Sequence, residues 1–231
     1  MTTVLITGAN RGLGLEFCRL YADAGWNVIA CCRNPAQADG LSALCQHYAS
    51  IQIEALDVTY LDQIDKLSKK LSAASIDVLI NNAGVYDDNS SNGFGQLDYQ
   101  AWQHSMLINT LAPMKMAETF LPQIIRGDKK LIVNVSSLMG SVSDNDSGGS
   151  ILYRSSKAAL NAAMKSLSIE LRNQNIGVLI LHPGWVQTDM GGANALIDSK
   201  TSVSGMCAVI NGFTLAQSGA FFKYDGKPMP W

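Results

Sequence analysis

The sequence predicts an α/β protein in which a parallel sheet is covered on both faces by helices, and two observations support this. First, short apolar segments rich in β-branched residues alternate along the chain with longer segments whose apolar positions recur at helical spacing. Strands separated by helical crossovers form a parallel sheet between two helical layers. Second, the first apolar segment leads directly into a glycine-rich turn and a helix. We therefore predict a Rossmann-type doubly wound parallel sheet in three layers, α/β/α, as a single domain over residues 1–231.

The individual elements follow from the same alternation. Strands are predicted at Thr3–Thr7, Asn27–Cys32, Ile51–Leu56, Asp77–Asn81, Leu131–Ser136, Gly177–His182 and Gly219–Tyr224. Helices are predicted after the glycine turn and at about Pro35–Tyr48, Tyr60–Leu71, Tyr99–Ile125, Ile151–Asn173 and Val203–Leu215. Proline suits the first turn of the helix at Pro35, and Pro113 predicts a bend inside the long helix. The polar, glycine-rich segment Asp87–Gly95 predicts a mobile loop.

The turn after the first strand has the sequence Gly8-Ala9-Asn10-Arg11-Gly12-Leu13-Gly14. Glycines permit a tight turn and a close approach of the backbone to a ligand, and the helix N-terminus offers N–H groups to a pyrophosphate. The spacing is Gly-x-x-x-Gly-x-Gly rather than the general Gly-x-Gly-x-x-Gly. The alternative is that the glycines form only a turn, but the strand–turn–helix context favours a dinucleotide site.

Tyr153 and Lys157 are four residues apart in a predicted helix, so their side chains lie on one face. Free tyrosine has a pKa near ~10, and a neighbouring ammonium lowers that pKa toward the range that acid–base catalysis needs. A Tyr-x-x-x-Lys pattern alone also fits an ordinary surface pair. The glycine turn and the serine-ending segment Leu131–Ser137 favour the catalytic interpretation.

With these features in view, the chain resembles the short-chain dehydrogenase/reductase family over nearly its whole length. The motifs that carry the resemblance occur in family order: Thr7–Gly14, Asn81-Asn82-Ala83-Gly84, Asn109, Ser137, Tyr153 with Lys157, and Pro183-Gly184 with Thr188. The stretch His182–Gly192 and the ending Tyr224–Trp231 are similar to one branch of that family, the Sniffer-like carbonyl reductases and C-factor-like proteins.

The resemblance implies a catalytic set. Tyr153 is expected to be the general acid, and Ser137 is expected to polarise a carbonyl, with Ser136 as the rival position. Lys157 would lower the tyrosine pKa and hold the cofactor ribose. Asn109 would support a water relay beside Lys157; its alternative is a polar residue that caps or bends the helix.

The resemblance also implies the cofactor contacts. They are Gly8, Asn10, Arg11, Gly12, Leu13, Gly14, Arg33, Asp57, Val58, Asn82, Ala83, Gly84, Tyr153, Lys157, Pro183, Gly184, Val186 and Thr188. The interval from Ser137 to Tyr153 is longer than is usual in the family, and the extra residues are expected in the loop-forming stretch Ser143–Gly149.

The end of the second strand indicates which dinucleotide binds. NAD-binding folds have an acidic residue there for the adenosine ribose, whereas this chain has Arg33. A guanidinium binds a 2′-phosphate through a planar fork of donors, and Arg11 is a second cation near the same place. In the family, basic residues at these positions accompany NADPH, so NADP(H) is the predicted cofactor. The alternative is two solvated surface arginines.

Composition and charge exclude other classes of protein. The net charge of −2 gives no electrostatic support for nucleic-acid binding. We expect no membrane span and no signal peptide, because no run of ~18 apolar residues and no basic leader is visible. The five cysteines and three histidines lack metal-type spacing, so we predict no metal site and a cytoplasmic location with reduced thiols.

We therefore expect an NADPH-dependent oxidoreductase that reduces the carbonyl of a small-molecule aldehyde, ketone or quinone to an alcohol. The alternative is a dinucleotide-binding signalling or sensor protein with little turnover; the intact Ser137, Tyr153 and Lys157 set argues against it. The helix Ile151–Asn173 has a small-residue face, which suggests a homodimer or homotetramer unless these residues only pack within the monomer. The face consists of Ser155, Ser156, Ala158, Ala159, Ala162 and Ala163.

The walls of the substrate pocket are predicted in two loop segments. They are expected in Asp144–Gly149 and Gly191–Ser202, with Trp185 and Met190 as apolar contacts. The aspartates in the loops are expected to be solvated: Asp87, Asp88, Asp144 and Asp146.

Overall fold

The structure is a computed structural model that describes residues 2–89 and 93–231. Its strands form one seven-stranded parallel sheet in the order β3-β2-β1-β4-β5-β6-β7. The strands are β1 Thr3–Thr7, β2 Asn27–Cys32, β3 Ile51–Ala55, β4 Val78–Asn81, β5 Leu131–Val135, β6 Gly177–His182 and β7 Phe221–Lys223. The order reverses between β1 and β4, so the fold class predicted from the sequence is confirmed.

The helices connect these strands and cover both faces of the sheet. They are α1 Gly12–Asp23, α2 Asp39–His47, α3 Leu61–Lys70, α4 Tyr99–Met106, α5 Ala112–Thr119, α6 Leu121–Ile125, α7 Ile151–Glu170 and α8 Ser199–Asn211. One apolar core lies between the sheet and α3, α5 and α7, and it contains Phe120 and Met164. The other lies beneath α1, α2 and α8 and contains Phe17 and Met206. Apolar strand residues fill both cores because a parallel sheet is buried on both faces.

The central helical region differs from the single long helix predicted from the sequence. A π-helical segment at Leu107–Leu111 separates α4 from α5, and Pro113 lies in the first turn of α5. A proline lacks the N–H that an unbroken helix would use, but the first turn does not need it. The predicted irregularity near Pro113 is therefore present as a π segment, which brings Asn109 into the protein interior.

Smaller differences lie at the ends of elements. The helix predicted from Pro35 begins with a 3₁₀ turn at Pro35–Gln37, and α2 starts only at Asp39. The helix predicted to reach Asn173 ends at Glu170 and is followed by a 3₁₀ turn at Arg172–Gln174. Part of the segment Asp87–Gly95, predicted to be a mobile loop, lies outside the described residues.

The structure also bears on membrane-spanning helices, metal-binding groups and disulfides. Within the described parts of the chain, no helix has the length and apolar character needed to cross a bilayer. Over the same residues, no group of three or more histidine, cysteine, aspartate or glutamate side chains could hold a metal ion. All five cysteines are free thiols.

Candidate active site

A cleft of about 460 Å³ lies at the carboxyl ends of the strands, where the sheet order reverses. Its lining residues are Thr7, Gly8, Asn10, Arg11, Gly12, Leu13, Cys31, Cys32, Arg33, Leu56, Asp57, Val58, Asn82, Ala83, Gly84, Val85, Ile108, Val135, Ser136, Tyr153, Lys157, Pro183, Gln187, Thr188, Asp189 and Met190. The cleft therefore joins the glycine turn, the end of β2 and the Tyr153/Lys157 pair.

The glycine turn has the geometry of a phosphate cradle. Gly8 and Gly12 have φ values of 65° and 53°, a region that favours glycine. A Cβ on Gly14 would lie 2.1 Å from the carbonyl oxygen of Gly8, so only glycine lets α1 start this close to the turn. The first N–H groups of α1 have no side-chain cap. Free N–H donors at a helix N-terminus suit a pyrophosphate.

Thr7 locks the turn to the neighbouring strand. Its hydroxyl accepts hydrogen bonds from the backbone N–H groups of Asn82 (3.0 Å) and Ala83 (3.1 Å). The Asn82 amide donates in return to the carbonyl oxygens of Thr7 (2.9 Å) and Gly8 (3.1 Å). These bonds fix the floor of the cleft between β1 and β4. Asn82 and Ala83 thus shape the site through the backbone.

The two arginines predicted to bind a 2′-phosphate have different surroundings. Arg33 is exposed on the cleft wall beside Cys32, at the end of β2. Arg11 is bound to Asp189 instead, with Nη1 2.5 Å from the carboxylate. That pair crosses the cleft from the glycine turn to the segment after β6. Thr188 also contacts the turn there, since its Cγ2 lies 3.3 Å from where a Cβ on Gly12 would be.

Tyr153 and Lys157 are both buried at the other end of the cleft. The Lys157 ammonium lies 5.7 Å from the centre of the Tyr153 ring and donates a hydrogen bond of 2.9 Å to the carbonyl oxygen of Val135. Burial lowers the pKa of Lys157 to about 8, because the site disfavours the charged form.

The pKa of Tyr153 does not follow the prediction that Lys157 would lower it. Burial raises this pKa to about 12, an interaction with Ser137 opposes the rise, and Tyr86 adds to it. In this structure the withdrawal of the phenol from water has the largest effect on its pKa, because a buried phenolate is costly. Tyr153 is therefore a protonated phenol at neutral pH.

The structure distinguishes the two serines that follow β5. The Ser136 hydroxyl is buried and donates a hydrogen bond of 2.6 Å to Asn161 Oδ1. The Ser137 oxygen accepts a bond of 3.1 Å from the N–H of Met139 and also interacts with Tyr153. Ser136 lines the cleft, but its proton is already used by Asn161, whereas the Ser137 hydroxyl is directed to the Tyr153 oxygen.

Asn109 is fully buried in the π segment, and its amide reaches two partners. Oδ1 accepts from the N–H of Val85 (3.0 Å), while Nδ2 donates to the Val85 carbonyl (2.9 Å) and to Ser156 (3.0 Å). A Cβ on Gly84 would lie 3.2 Å from Asn109 Oδ1 and 3.5 Å from Lys157 Nζ, so both polar groups lie next to Gly84. The Asn109 amide therefore ties the segment after β4 to α7.

Several predicted site residues do not line the cleft. Gly14, Asn109, Ser137, Gly184 and Val186 are absent from its wall. Gly14 and Val186 are buried, and Gly184 packs against Tyr224 and Ile197. Ser137 borders the site through its hydrogen bond with Tyr153, whereas the other four residues shape the site from behind the wall. Lining residues outside the predicted set include Cys31, Leu56, Val85, Ile108, Gln187 and Asp189. Of these, Cys31 and Leu56 lie at or just after the ends of β2 and β3, which was the available sequence signal.

Two of the aspartates expected to be solvated are instead hydrogen-bonded. Asp88 accepts bonds from the N–H groups of Leu152 and Tyr153, at 3.1 and 2.7 Å. Asp87 accepts a bond of 2.8 Å from the buried Ser105 hydroxyl. Sequence distance hid these contacts, because the partners lie in α4 and α7.

Comparison with known proteins agrees with this geometry. The family model of the short chain dehydrogenases matches residues 2–196. The chain belongs to the short-chain dehydrogenase family and is an oxidoreductase of that type.

Three individual proteins show the extent of this similarity. C-signal of Myxococcus xanthus is 44% identical over 156 residues, which cover 68% of this chain and 93% of that protein. Carbonyl reductase Sniffer of D. melanogaster has a similar structure, with a TM-score of 0.91, 35% identity and full coverage of both chains. The NADPH-bound carbonyl reductase from chicken fatty liver matches with a TM-score of 0.92 and 32% identity, covering 100% of this chain and 99% of that one.

Proposed function

We propose that this protein is an NADPH-dependent carbonyl reductase, which reduces an aldehyde, ketone or quinone to the alcohol. The observation that carries the proposal is the protonated, buried Tyr153 beside Lys157 in the cleft that also contains the glycine turn. A proton donor and a dinucleotide cradle in one cleft are what carbonyl reduction requires.

The residues of the chain have separate tasks in this reaction. When bound, NADPH supplies the hydride. Tyr153 donates its phenolic proton to the carbonyl oxygen, and Ser137 donates a hydrogen bond to the same oxygen. Lys157 holds the ribose hydroxyls of the cofactor, and Asn109 keeps the wall at Val85 in place and supports a water relay beside Lys157.

The protonation state of Tyr153 suits the reduction of a carbonyl. Reduction uses the protonated phenol, and a pKa of about 12 keeps the phenol protonated throughout the neutral range. Oxidation of an alcohol uses the phenolate, which is scarce under the same conditions.

The choice of NADPH rests on Arg33 and on the relatives. Arg33 offers a guanidinium at the end of β2, and the carbonyl reductase from chicken fatty liver, which is similar in structure, was crystallised with NADPH. Arg11 would offer a second guanidinium to the 2′-phosphate once its ion pair with Asp189 opens. The glycine turn fits the pyrophosphate through Gly8, Asn10, Gly12 and Leu13, and Pro183 with Thr188 would border the nicotinamide.

The decisive experiment measures NADPH oxidation against a panel of aldehydes, ketones and quinones. The wild type should reduce at least one of them, and Tyr153→Phe should lose ~10²–10⁴-fold in rate while its affinity for NADPH stays near that of the wild type. Tight NADPH binding without any turnover would favour the alternative, a dinucleotide-binding signalling protein. The similarity to C-signal is the observation that supports this alternative. Full turnover by Tyr153→Phe would refute the role of Tyr153.

Assembly and location remain proposals. Part of the small-residue face of α7 is covered within the chain, because Trp102 of α4 donates a hydrogen bond of 2.8 Å to Ser155, and Ser156 is buried. Ala162 remains exposed on the same helix. We propose a homodimer or homotetramer across this face, to be checked by light scattering at micromolar concentration, and a cytoplasmic location in keeping with the free thiols.

A further inference from the structure

The N-terminus of α7, which carries Tyr153, is held by a residue far away in the sequence. The Asp88 carboxylate accepts hydrogen bonds from the N–H of Leu152 (3.1 Å) and the N–H of Tyr153 (2.7 Å), from a sequence distance of 64 and 65 residues. These are N–H groups of the first helical turn, which have no partner inside the helix. A carboxylate there also interacts favourably with the helix dipole.

The residue in the local capping position does not perform this task. Ser150 precedes the helix, and serine is a favoured cap, but its side chain forms no capping hydrogen bond. Its φ of 46° is left-handed, as are those of Gly148 and Gly149 before it. The Ser150 hydroxyl is hydrogen-bonded to the Tyr86 hydroxyl instead, at 2.7 Å. The helix therefore emerges from an irregular turn and takes its cap from Asp88.

Tyr86 completes the contact from the same segment. Its ring centre lies 5.0 Å from that of Tyr153, with the planes tilted by 52°. Such tilted aromatic pairs have a preferred geometry, so the ring restricts the orientation of Tyr153. Tyr86 is 42% exposed, whereas Tyr153 is buried beneath it. Tyr86 thus covers part of the Tyr153 ring from the segment after β4.

The segment is anchored firmly enough to act as a support. Asn109 bonds both backbone groups of Val85, and Asp87 accepts a hydrogen bond from Ser105 in α4. His104 Nδ1 also lies 2.9 Å from the Asp87 carboxylate. The residues from Val85 to Asp88 therefore bridge α4, the π segment and the start of α7.

We propose that Asp88 and Tyr86 are positioning residues for Tyr153: Asp88 fixes the helical turn that carries it, and Tyr86 fixes and shields its ring. This inference rests on the proposed reductase function, in which Tyr153 is the proton donor. Placement matters for such a group, because a displacement of ~1 Å can cost ~10²-fold in rate.

The first test replaces Asp88 by Asn, which keeps the shape but exchanges one accepting oxygen for a donor. We expect kcat to fall about tenfold or more, with the dissociation constant for NADPH unchanged within about twofold. Asp128→Asn is the matched control and should leave both unchanged, because Asp128 is exposed in the turn before β5, at the edge of the sheet opposite the cleft. Amide hydrogen exchange should accelerate at Leu152 and Tyr153 in Asp88→Asn and not in the control, which reports on the cap without using activity.

The second test uses the pH dependence of the rate. The titratable and charged groups that the described residues place around Tyr153 are Lys157 on its own helix and Tyr86 and Asp88 on the segment after β4. Tyr86→Leu lets water reach the Tyr153 ring, which lowers the pKa of Tyr153 from about 12. The second alkaline step of the pH–rate profile, which lies above the ionisation of Lys157 near pH 8, then moves to lower pH. Tyr86→Phe retains the ring and should leave this alkaline step of the pH–rate profile near its wild-type pH. A purely structural role would not separate these two variants.

The outcomes are distinguishable from a failure of the proposed function. If the wild type reduces no carbonyl, the reductase proposal itself fails. If the wild type is active and Tyr153→Phe is not, but Asp88→Asn has unchanged kcat and unchanged exchange at Leu152 and Tyr153, the positioning role is wrong. A variant that loses NADPH binding together with activity would also overturn it, because Asp88 would then support the whole fold.

Discussion

Replacing Lys157 by Met should stabilise the cofactor-free protein while it abolishes activity. Lys157 is buried, and burial lowers its pKa from 10.5 to about 8. At neutral pH the side chain is charged in both the folded and the unfolded state, so the shift corresponds to a cost of about 3 kcal/mol at ~1.36 kcal/mol per unit. Removing the lysine removes this cost, but it also removes the hydrogen bond to the Val135 carbonyl, which contributes about 1 kcal/mol to stability. The net expectation is a variant more stable by about 2 kcal/mol at pH 7.

The sign of the pH dependence provides the stronger check. The folded state releases the lysine proton near pH 8, whereas the unfolded state keeps it until about pH 10.5. Between these values the unfolded state binds more protons, so the wild type gains stability as the pH rises. The cost of Lys157 is thus fully present below pH 8 and mostly relieved by about pH 10. The advantage of Lys157→Met should shrink by about 2 kcal/mol over that range.

The measurement is urea unfolding of the cofactor-free wild type and Lys157→Met at several pH values from 7 to 10. Ionisation of Tyr153 affects both proteins in that range, so the difference between them isolates the lysine. Lys165→Met is the control, because Lys165 lies on the exposed side of α7 and also donates to a backbone oxygen. A difference in unfolding free energy that stays constant from pH 7 to pH 10 would refute the reasoning.

Three further predictions concern the cofactor and the serine pair. We expect the wild type to prefer NADPH over NADH by at least ~tenfold, because one charged hydrogen bond contributes roughly 1.5–3 kcal/mol. Arg33→Asp should erase most of this preference, mainly by raising the Michaelis constant for NADPH. Equal use of both cofactors by the wild type would contradict the prediction. Asp189→Asn should tighten NADPH binding by releasing Arg11, an effect of at most ~fivefold for an exposed pair, and calorimetric titration would show it. Ser137→Ala should lower kcat with NADPH affinity unchanged, whereas Ser136→Ala should mainly lower the melting temperature, since Ser136 is bonded to Asn161.

The arrangement around Tyr153 explains why a buried phenol is useful here. Tyr86 and the protein interior keep it protonated, and Asp88 holds its backbone. Reduction then depends on the exact placement of one proton donor rather than on a lowered pKa. The Lys157 ammonium lies beside it at a cost in stability, which is a common feature of sites that bind charged ligands.

Much of the molecule was determined by local features of the sequence. The strands Thr3–Thr7, Asn27–Cys32 and Gly177–His182 have the bounds predicted from their apolar runs, because a strand buried on both faces must be apolar throughout. The glycine turn was also readable, since Gly8 and Gly12 have a backbone conformation that other residues rarely adopt. The spacing of Tyr153 and Lys157 fixed their common face by helix geometry alone.

The tertiary structure decided the features that depend on segments distant in the chain. The cap of α7 by Asp88, the pairing of Arg11 with Asp189 and the choice between Ser136 and Ser137 all require partners that folding brings together. The pKa of Tyr153 is another feature that only the tertiary structure decided. Its nearest cation is visible in the sequence, but burial has the larger effect, and the degree of burial is a property of the packed molecule.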